Sequence, residues 1–243
     1  MTIASPTTAM VLAAGIGSRM RPLTDTRPKA LVEVAGRTLI DRVLDRLVEA
    51  GITRAVVNVH HFADAMEAHL ARRKDLEIVI SDERAGLLDS GGGIRHAAAH
   101  LGRDPILAAN IDSLWIEGDR PALETLKAAW SPARMDILLL LVPRGRGIGF
   151  EGPQGFFRDA EGRLTHAVAP DPPTPYANVG FAILNPAILD AEPDGPFSIV
   201  PIWHRLQAKG RLYGAVMDGF WMHVGDPAAR DATEARLNAA SGP

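Results

Sequence analysis

A glycine-rich segment near the start of the chain carries closely spaced positive charges. Gly15 and Gly17 follow the apolar run at residues 10–14, and Arg19 and Lys29 come soon after them. Glycine tolerates positive φ and lets the backbone approach a ligand closely, while unpaired amides of such a loop donate hydrogen bonds to anions. Arg19 and Lys29 would supply the matching positive charge. The segment is therefore predicted to bind phosphate groups.

This loop matches neither of the two common phosphate-binding motifs. A Walker A loop needs Gly-Lys-Ser/Thr after four intervening residues, and the dinucleotide fingerprint needs a third glycine. The order Leu-Ala-Ala-Gly, Gly-x-Arg-Met-x-Pro-Leu-Thr and Pro-Lys, which ends at Lys29, resembles the signature of the sugar-1-phosphate nucleotidyltransferases. The resemblance implies transfer of a nucleotidyl group from a nucleoside triphosphate to a sugar 1-phosphate, with release of pyrophosphate. The nucleotide-binding residues that it implies in this segment are Ala13, Ala14, Gly15, Gly17, Ser18, Arg19 and Lys29.

A carboxylate, Asp112, follows the apolar run at residues 106–109. Open α/β sheets bind their ligands at the carboxyl ends of the strands, which makes Asp112 the best candidate for a metal ligand. A role in a turn or a helix cap is the alternative. The resemblance implies that Asp112 binds Mg²⁺ and that it acts in catalysis together with Arg19 and Lys29.

The resemblance breaks down at the second metal ligand of the family. Related enzymes have Trp-x-Asp-x-Gly-Thr-Pro near the C-terminus, whereas this chain has His223 at the Asp position and Asp226 at the Thr position. Mg²⁺ prefers oxygen ligands, so an imidazole is a poor substitute. The alternatives are Mg²⁺ held by Asp112, water and substrate phosphates alone, a shift towards Mn²⁺, an oxygen from Asp226, or His223 acting only as a hydrogen-bond donor. Asp112 and His223 are the predicted metal ligands.

A second glycine-rich run covers residues 88–94, with the sequence Leu-Asp-Ser-Gly-Gly-Gly-Ile. It resembles the Glu-Thr-Gly-Gly-Gly-Ile segment of the N-acetylmuramate-1-phosphate uridylyltransferases, which are one group of the family. Ser90 and Gly91 are predicted to contact the nucleotide, with the backbone lying flat beneath the base or ribose. A tight turn at the start of the alanine-rich helix that follows is the alternative.

Three residues in the second half of the chain are predicted to contact the sugar. Asn178 and Gly180 lie in a segment that resembles the strand lining the sugar pocket of the family, and Gly155 falls where the family has Gly-Asp-Phe. In this chain Phe156 replaces that Asp. An ordinary β-strand with a glycine bulge would also explain the pattern.

Apolar runs alternate with helical patterns along the 243 residues, which predicts an α/β fold with a mainly parallel, mixed sheet flanked by helices. The resemblance implies a Rossmann-like, GT-A-like nucleotidyltransferase fold. We predict one domain over residues 1–243, with a nucleotide-binding half at 8–144 and a sugar-binding half at 145–243. The predicted strands are residues 10–14, 55–59, 76–80, 106–109, 137–142, 179–184 and 212–216. Helices are predicted around residues 39–47, 199–209 and 227–238, and a β-ribbon with loops at 145–176.

The composition excludes several other classes of function. The net charge is −3 with scattered cations, and the four tryptophans are dispersed, so a nucleic-acid-binding surface is not expected. There is no cysteine for a thiolate metal site or nucleophile, and no run is long and apolar enough to span a membrane. The N-terminus does not resemble a signal peptide, so we expect a cytoplasmic protein, either a monomer or a small homo-oligomer.

The sequence leaves the substrates open. UTP and N-acetylmuramate 1-phosphate, in cell-wall sugar recycling, are the favoured pair, and a mannose-1-phosphate guanylyltransferase or a thymidylyl relative is the nearest enzymatic alternative. A regulatory module that binds sugar nucleotides with little turnover is an alternative of another class. The replacement at His223 is its main support.

Overall fold

The computed structural model describes residues 5–168 and 173–240, and these form an α/β fold. The strands are β1 (Thr8–Leu12), β2 (Glu33–Val34), β3 (Arg37–Thr38), β4 (Arg54–Val59), β5 (Glu77–Asp82), β6 (Ile106–Asn110), β7 (Ser113–Ile116), β8 (Ile137–Pro143), β9 (Gly147–Ile148), β10 (Gln154–Arg158), β11 (Leu164–Val168), β12 (Tyr176–Leu184), β13 (Leu212–Val216) and β14 (Phe220–His223). The helices are α1 (Leu39–Glu49), α2 (Ala63–Leu70), α3 (Asp89–His96), α4 (Ala98–Leu101), α5 (Ala122–Ala129), α6 (Val200–Ala208) and α7 (Pro227–Ala240). None of the described helices has the length and apolarity needed to cross a membrane.

The main sheet of the described residues has nine strands. Its principal order is β11-β10-β12-β6-β1-β4-β5, with β8 beside β12 and β13 beside β8. The strands β6, β1, β4 and β5 are parallel, whereas β12 runs antiparallel to both β6 and β8. Because parallel strands end at the same edge of a sheet, the segments that follow β1, β4, β5 and β6 converge there.

The core covers both faces of the main sheet. Ala9 and Val11 belong to one cluster of buried apolar side chains, and Met10 between them belongs to the other. Successive side chains of a strand point to opposite faces, so β1 is buried on both sides, as expected of a central parallel strand. The continuous apolar run in the sequence reflects this position.

The α/β class and the mixed sheet predicted from the sequence are confirmed. The amphipathic helix predicted around residues 39–47 is α1, which buries Leu39, Ile40, Val43, Leu44 and Leu47. The predicted ribbon contains the antiparallel pair β10 and β11, and residues 169–172 of that segment lie outside the described residues. A single domain with two halves stays a prediction.

Two details of the sequence-based prediction were wrong, and one feature of the fold was missed. β1 ends at Leu12 rather than at residue 14, because the amides of Ala13 and Ala14 donate to a side chain instead of to a neighbouring strand. The glycines after Ser90 lie inside α3 rather than before a helix. The small sheet β7-β14-β9 was not predicted at all.

Candidate active site

Two cavities meet at the carboxyl edge of the main sheet. The first, which we call the loop cavity, measures about 600 Å³ and lies along the segment after β1. The second, the ribbon cavity, measures about 390 Å³ and is lined by residues of β10, β11 and β12. Arg19, Asn110 and Asp112 line both cavities, so these residues mark the junction.

The loop cavity brings together most of the residues predicted to bind a nucleotide. It is lined by Ala13, Ala14, Gly15, Gly17, Ser18, Arg19, Lys29 and Ser90. Gly17 adopts a left-handed conformation with φ of 70°, and its carbonyl accepts a hydrogen bond of 2.9 Å from Thr24 Oγ1. A Cβ at Gly17 would lie 2.9 Å from Cβ of Lys29, so glycine lets the loop pack against the lysine stem.

A buried polar network supports the floor of the loop cavity. Asn58 Oδ1 accepts hydrogen bonds from the amides of Ala13 (2.6 Å) and Ala14 (3.2 Å), and its Nδ2 donates to Glu83 Oε1 at 2.7 Å. The second oxygen of Glu83 accepts from the amide of Leu88 at 3.2 Å. Asn58 and Glu83 therefore connect the two segments that form opposite parts of the cavity wall.

Lys29 and Asp112 form an ion pair at the junction of the cavities. Lys29 Nζ lies 2.8 Å from Asp112 Oδ2, and both side chains are largely buried. Burial by itself raises the pKa of a carboxyl group, but the charge of Lys29 and its hydrogen bond outweigh this and hold the pKa of Asp112 below its usual value. Asp112 is therefore a carboxylate at neutral pH.

His223 faces the other oxygen of the same carboxylate. Its Nδ1 lies 3.9 Å from Asp112 Oδ1, which is too long for a hydrogen bond. Burial lowers the pKa of His223, and the charges of Lys29 and Arg19 lower it further, while Asp112 and Asp226 oppose this shift. A neutral imidazole has a nitrogen lone pair that can bind a metal ion.

The described residues fit a metal ion whose coordination the substrate completes. They contain no group of three or more His, Asp or Glu side chains that could hold a metal, so the protein would supply Asp112 and, if the imidazole takes part, His223. Asp226 Oδ1 instead accepts a hydrogen bond of 2.8 Å from the amide of Ala229 at the start of α7. Mg²⁺ commonly keeps several waters and binds one or two carboxylates plus substrate phosphates, which matches this incomplete ligand set.

Arg19 lies at the mouth of the junction with its charge available. It is exposed and lines both cavities, and it forms no hydrogen bond or ion pair within residues 5–168 and 173–240. An arginine without a carboxylate partner beside a glycine-rich loop can bind a phosphate through two parallel hydrogen bonds. Lys29, by contrast, is paired with Asp112 in this structure.

The second glycine-rich run is explained largely by packing. Ser90 lines the loop cavity, and its Oγ accepts a hydrogen bond of 3.1 Å from the amide of Ile199. Gly91 is buried behind it, and a side chain there would overlap the ring of Phe197. Gly91 does not line the cavity, so its predicted contact with a nucleotide stays a prediction.

The three residues predicted to contact the sugar all line the ribbon cavity. They are Gly155, Asn178 and Gly180. Gly180 has φ of 87° at a register shift between β12 and β8, and its amide donates a hydrogen bond of 2.9 Å to Asn178 Oδ1. A Cβ at Gly180 would lie 2.9 Å from Asn110 Nδ2, so the bulge also lets β12 approach the junction. The alternative of a glycine bulge is thus correct as a description of the backbone.

Sequence reasoning missed several residues of both cavities. Asn58 and Glu83 lie at the carboxyl ends of β4 and β5, and that position, polar after an apolar run, was a signal that could have found them. Ile16 and Leu87 are 40% and 38% exposed beside the loop cavity and offer apolar surface there. The missed residues of the ribbon cavity include Phe156, His166 and Trp203.

Comparison with known proteins assigns this arrangement to a family. Residues 9–191 match the MobA-like NTP transferase domain. The chain belongs to this family. Within the family it is a sugar-1-phosphate nucleotidyltransferase, as its relatives show.

Among its relatives is an N-acetylmuramate alpha-1-phosphate uridylyltransferase of Caulobacter vibrioides, which is 53% identical over 96% of this chain and 98% of the relative. A protein of the same name from Neisseria meningitidis serogroup B is 33% identical over 89% of this chain and 92% of the relative. A mannose-1-phosphate guanyltransferase of Hypocrea jecorina is 29% identical over 90% of this chain but only 60% of its own length. The two uridylyltransferases therefore match this NTP transferase over more of their own length than the guanyltransferase does.

Solved structures show the same fold at low sequence identity. A UDP-glucose pyrophosphorylase from Acinetobacter baumannii superimposes with a TM-score of 0.80 at 16% identity, covering 97% of this chain and 94% of the other. The inositol-1-phosphate CTP transferase from T. maritima gives a TM-score of 0.76 at 17% identity, covering 97% of both chains. The fold of this NTP transferase is thus shared with nucleotidyltransferases of several names.

Proposed function

We propose that this enzyme transfers the uridylyl group of UTP to N-acetylmuramate 1-phosphate, giving the UDP-sugar and pyrophosphate. The observation that carries the proposal is the junction of two cavities at Asp112, which gives a triphosphate and a sugar phosphate adjoining places beside one carboxylate. The names of the relatives at 53% and 33% identity support the choice of base and sugar. We place the reaction in the cytoplasm, in the recycling of cell-wall sugars, with the enzyme as a monomer or small homo-oligomer.

The reaction places its main demand on geometry and charge. The attacking phosphate oxygen of the sugar is already anionic, so the enzyme has to bring two anions together in line rather than remove a proton. In the proposal, Lys29 contacts both phosphates from its buried position, and Arg19 holds the pyrophosphate that leaves. Fixed cations at these points stabilise the charge that develops in the transition state.

The residues that would hold a divalent ion are Asp112 and His223. The family typically works with a divalent metal ion, and when bound, such an ion neutralises charge on the phosphate oxygens. Asp112 is the ligand that suits Mg²⁺, because its carboxylate is ionised and partly open to the cavities. His223 is the weaker candidate for Mg²⁺, and an imidazole ligand would shift preference towards Mn²⁺.

The remaining roles follow from the cavity each residue lines. Nucleotide contacts are assigned to Ala13, Ala14, Gly15, Gly17, Ser18, Arg19, Lys29, Ser90 and Gly91. Sugar contacts are assigned to Gly155, Asn178 and Gly180. Support comes from the position of all of these except Gly91 on one of the two cavity walls.

A substrate matrix tests the proposal. UTP, GTP, CTP, ATP and dTTP are each combined with N-acetylmuramate, N-acetylglucosamine, glucose and mannose 1-phosphates, with Mg²⁺ or Mn²⁺, and pyrophosphate release is measured. We expect the highest kcat/KM for UTP with N-acetylmuramate 1-phosphate. The variant Asp112→Asn should lower kcat by about 10²- to 10³-fold, the usual cost of losing one charged group that stabilises a transition state.

The alternative outcomes are distinct. Preference for GTP with mannose 1-phosphate would overturn the proposed substrates and leave the family assignment intact. Tight binding of UTP without pyrophosphate release under either metal ion would instead indicate a regulatory module. Near-wild-type turnover by a folded Asp112→Asn variant would remove Asp112 from the mechanism.

A further inference from the structure

The ribbon cavity contains an aromatic wall that the proposed chemistry does not use. Phe156 of β10 pairs in register with His166 of β11, and Trp203 of α6 packs against both. The ring centroids lie 5.0 Å apart for Phe156 and His166, and 5.7 Å apart for His166 and Trp203. All three line the ribbon cavity, and none lines the loop cavity. The wall therefore belongs to the part of the ribbon cavity that lies beyond its junction with the loop cavity.

Two nitrogen atoms of this wall are without hydrogen-bond partners. His166 Nδ1 lies 2.9 Å from His204 Nε2, but no described residue pairs with His166 Nε2 or with Trp203 Nε1. Neither atom is among the fully buried polar atoms that lack a partner, so both are accessible. By contrast, Trp115 Nε1 donates to Glu117 and Trp221 Nε1 donates to Ser113. Since His166 is only 9% exposed and lines the cavity, its free nitrogen is available mainly to a ligand there.

We propose that His166 and Trp203 form a subsite for a carboxylate carried by the sugar, which makes them specificity residues of this enzyme. This inference rests on the proposed function. N-acetylmuramate carries a lactyl ether with a carboxylate on O3, whereas N-acetylglucosamine has a hydroxyl group there. With the anomeric phosphate at the junction beside Asp112, the space left for the sugar ring and its O3 substituent is the remainder of the ribbon cavity.

The pair of histidines can present a donor to such a group. Burial lowers the pKa of His166, and the neighbouring His204 lowers it further, so the imidazole is neutral and carries one proton. If His204 donates to Nδ1 of His166, the proton of His166 is on Nε2, where a carboxylate can accept it. His204 lies on the surface, so water can satisfy its other nitrogen. A carboxylate in the cavity would select this tautomer.

The charge near the subsite is mixed: Asp112 also lines the ribbon cavity, but its carboxylate is paired with Lys29. Arg19 lines the same cavity without a partner, and the guanidinium of Arg144 lies close behind Gly155. Glu151 also lines the cavity, but it is exposed to solvent. Because Arg144 donates to carbonyl oxygens of the loop around it, it can contribute positive potential without leaving its place.

The test compares two sugars that differ only at O3. Values of kcat/KM with UTP are measured for N-acetylmuramate and N-acetylglucosamine 1-phosphates, and dissociation constants of the two UDP-sugars are measured by calorimetry. The variant His166→Leu should weaken kcat/KM and binding for the muramate forms by about 10- to 100-fold, the range expected for a lost hydrogen bond to a charged group. The glucosamine forms should change by less than about 3-fold, since they make no such bond.

Further variants separate recognition from folding. Trp203→Phe keeps an aromatic ring and removes the indole N–H, and it should also lower kcat/KM for N-acetylmuramate 1-phosphate more than for N-acetylglucosamine 1-phosphate. His166→Gln keeps a hydrogen-bond donor near the position of Nε2. Compared with His166→Leu, it should restore part of the preference for N-acetylmuramate 1-phosphate over N-acetylglucosamine 1-phosphate. Thr165→Ala, at an exposed neighbour on β11, is the matched control and should leave both sugars unchanged.

Each outcome is decisive. Equal losses for both sugars in His166→Leu and Trp203→Phe, or no loss for either, would overturn the subsite alone. A wild-type preference for the sugar without the carboxylate would overturn the proposed sugar substrate and the subsite with it. In all these cases uridylyl transfer itself could persist. A wild-type enzyme that releases no pyrophosphate with UTP and any sugar phosphate would refute the proposed function instead.

Discussion

Lys29 contacts both the glycine-rich loop after β1 and the carboxylate of Asp112. Its stem packs against Gly17, and its ammonium group contacts Asp112 at a distance of 2.8 Å. In the structure it neutralises Asp112, and in the proposed reaction it contacts the phosphates from the same buried position. Because the cation is already in place, little reorganisation is needed when negative charge develops in the transition state. Electrostatic stabilisation is strong under this condition.

Replacing this lysine should abolish most of the activity. We expect Lys29→Met to lower kcat by about 10²- to 10³-fold, because the stem remains while the charge is lost. Pyrophosphate release under saturating UTP measures the effect, and circular dichroism checks folding. Arg21→Met, at an arginine whose side chain is 69% exposed, is the control and should retain activity. Comparable rates for the two variants would exclude Lys29 from catalysis.

Asn58 determines the shape of the nucleotide side of the site without touching the reacting atoms in the proposal. It satisfies two backbone amides after β1 and one oxygen of the buried Glu83. Asn58→Leu leaves these groups unpaired, so we expect the free energy of unfolding to fall by about 1–3 kcal/mol and KM for UTP to rise. Urea denaturation and steady-state kinetics measure the two effects. Unchanged values for both would show that water replaces the amide without cost.

At the scale of elements, α1 shows how a local sequence signal determines where a helix begins. Thr38 caps its first turn by accepting a hydrogen bond of 3.2 Å from the amide of Asp41. Asp41 in turn accepts hydrogen bonds from Thr38 and His69. Burial raises the pKa of Asp41, but these hydrogen bonds outweigh it and the pKa is lowered overall. The start of α1 is thereby tied to α2.

Removing this cap should destabilise the protein in a pH-dependent way. Thr38→Ala is expected to lower the free energy of unfolding by about 0.5–2 kcal/mol at pH 7. Because the folded pKa of Asp41 is depressed, its contribution is complete above the unfolded value of 3.8 and is lost as the pH falls through the folded pKa. The difference between wild type and variant should therefore shrink in acid. Urea titrations at pH 7 and at acid pH measure it, with Thr26→Ala, in an exposed turn, as control. A difference that grew in acid would contradict this account.

For the molecule as a whole, the important feature is that its two cavities are built from distant parts of the chain. The loop cavity uses β4 and the segments after β1, β5 and β6, and the ribbon cavity adds β10, β11, β12, β14 and α6. The unfolded chain has no loop cavity, so a ligand of this cavity binds the folded state only. Ligand binding should therefore stabilise the entire fold by mass action.

Thermal unfolding provides the measurement. UTP at about 100 times its Kd should add about 2.7 kcal/mol, which corresponds to a rise in Tm of about 5–11 °C for a chain of this size. A chelator should reduce the rise if a divalent ion joins the phosphates to Asp112. Asp112→Asn should show a smaller rise that the chelator no longer changes. A rise in Tm of wild type that is independent of metal would argue against a metal at this carboxylate.

The sequence by itself determined the parts of this protein that depend on short-range order. The loop with Gly17, Arg19 and Lys29 is contiguous, and both its local geometry and its resemblance to a family were readable from spacing. The central strands were readable as apolar runs because both of their faces are buried. The position of Asp112 at a strand end followed from the same pattern.

Only the tertiary structure decided which distant residues meet. β7 and β14 pair across more than a hundred residues and bring His223 to Asp112, while Phe156, His166 and Trp203 meet from three separate elements. The short strands have too few residues for a clear periodicity, and their pairing is stabilised by the surrounding packing rather than by their own propensity. Likewise, the glycines after Ser90 signal close backbone approach, but only the fold shows that Gly91 and Gly92 lie against Phe197 and Gly93 lies against Glu83 and Asn58. Local chemistry is encoded in contiguous residues, whereas the site requires contacts between elements that the chain separates.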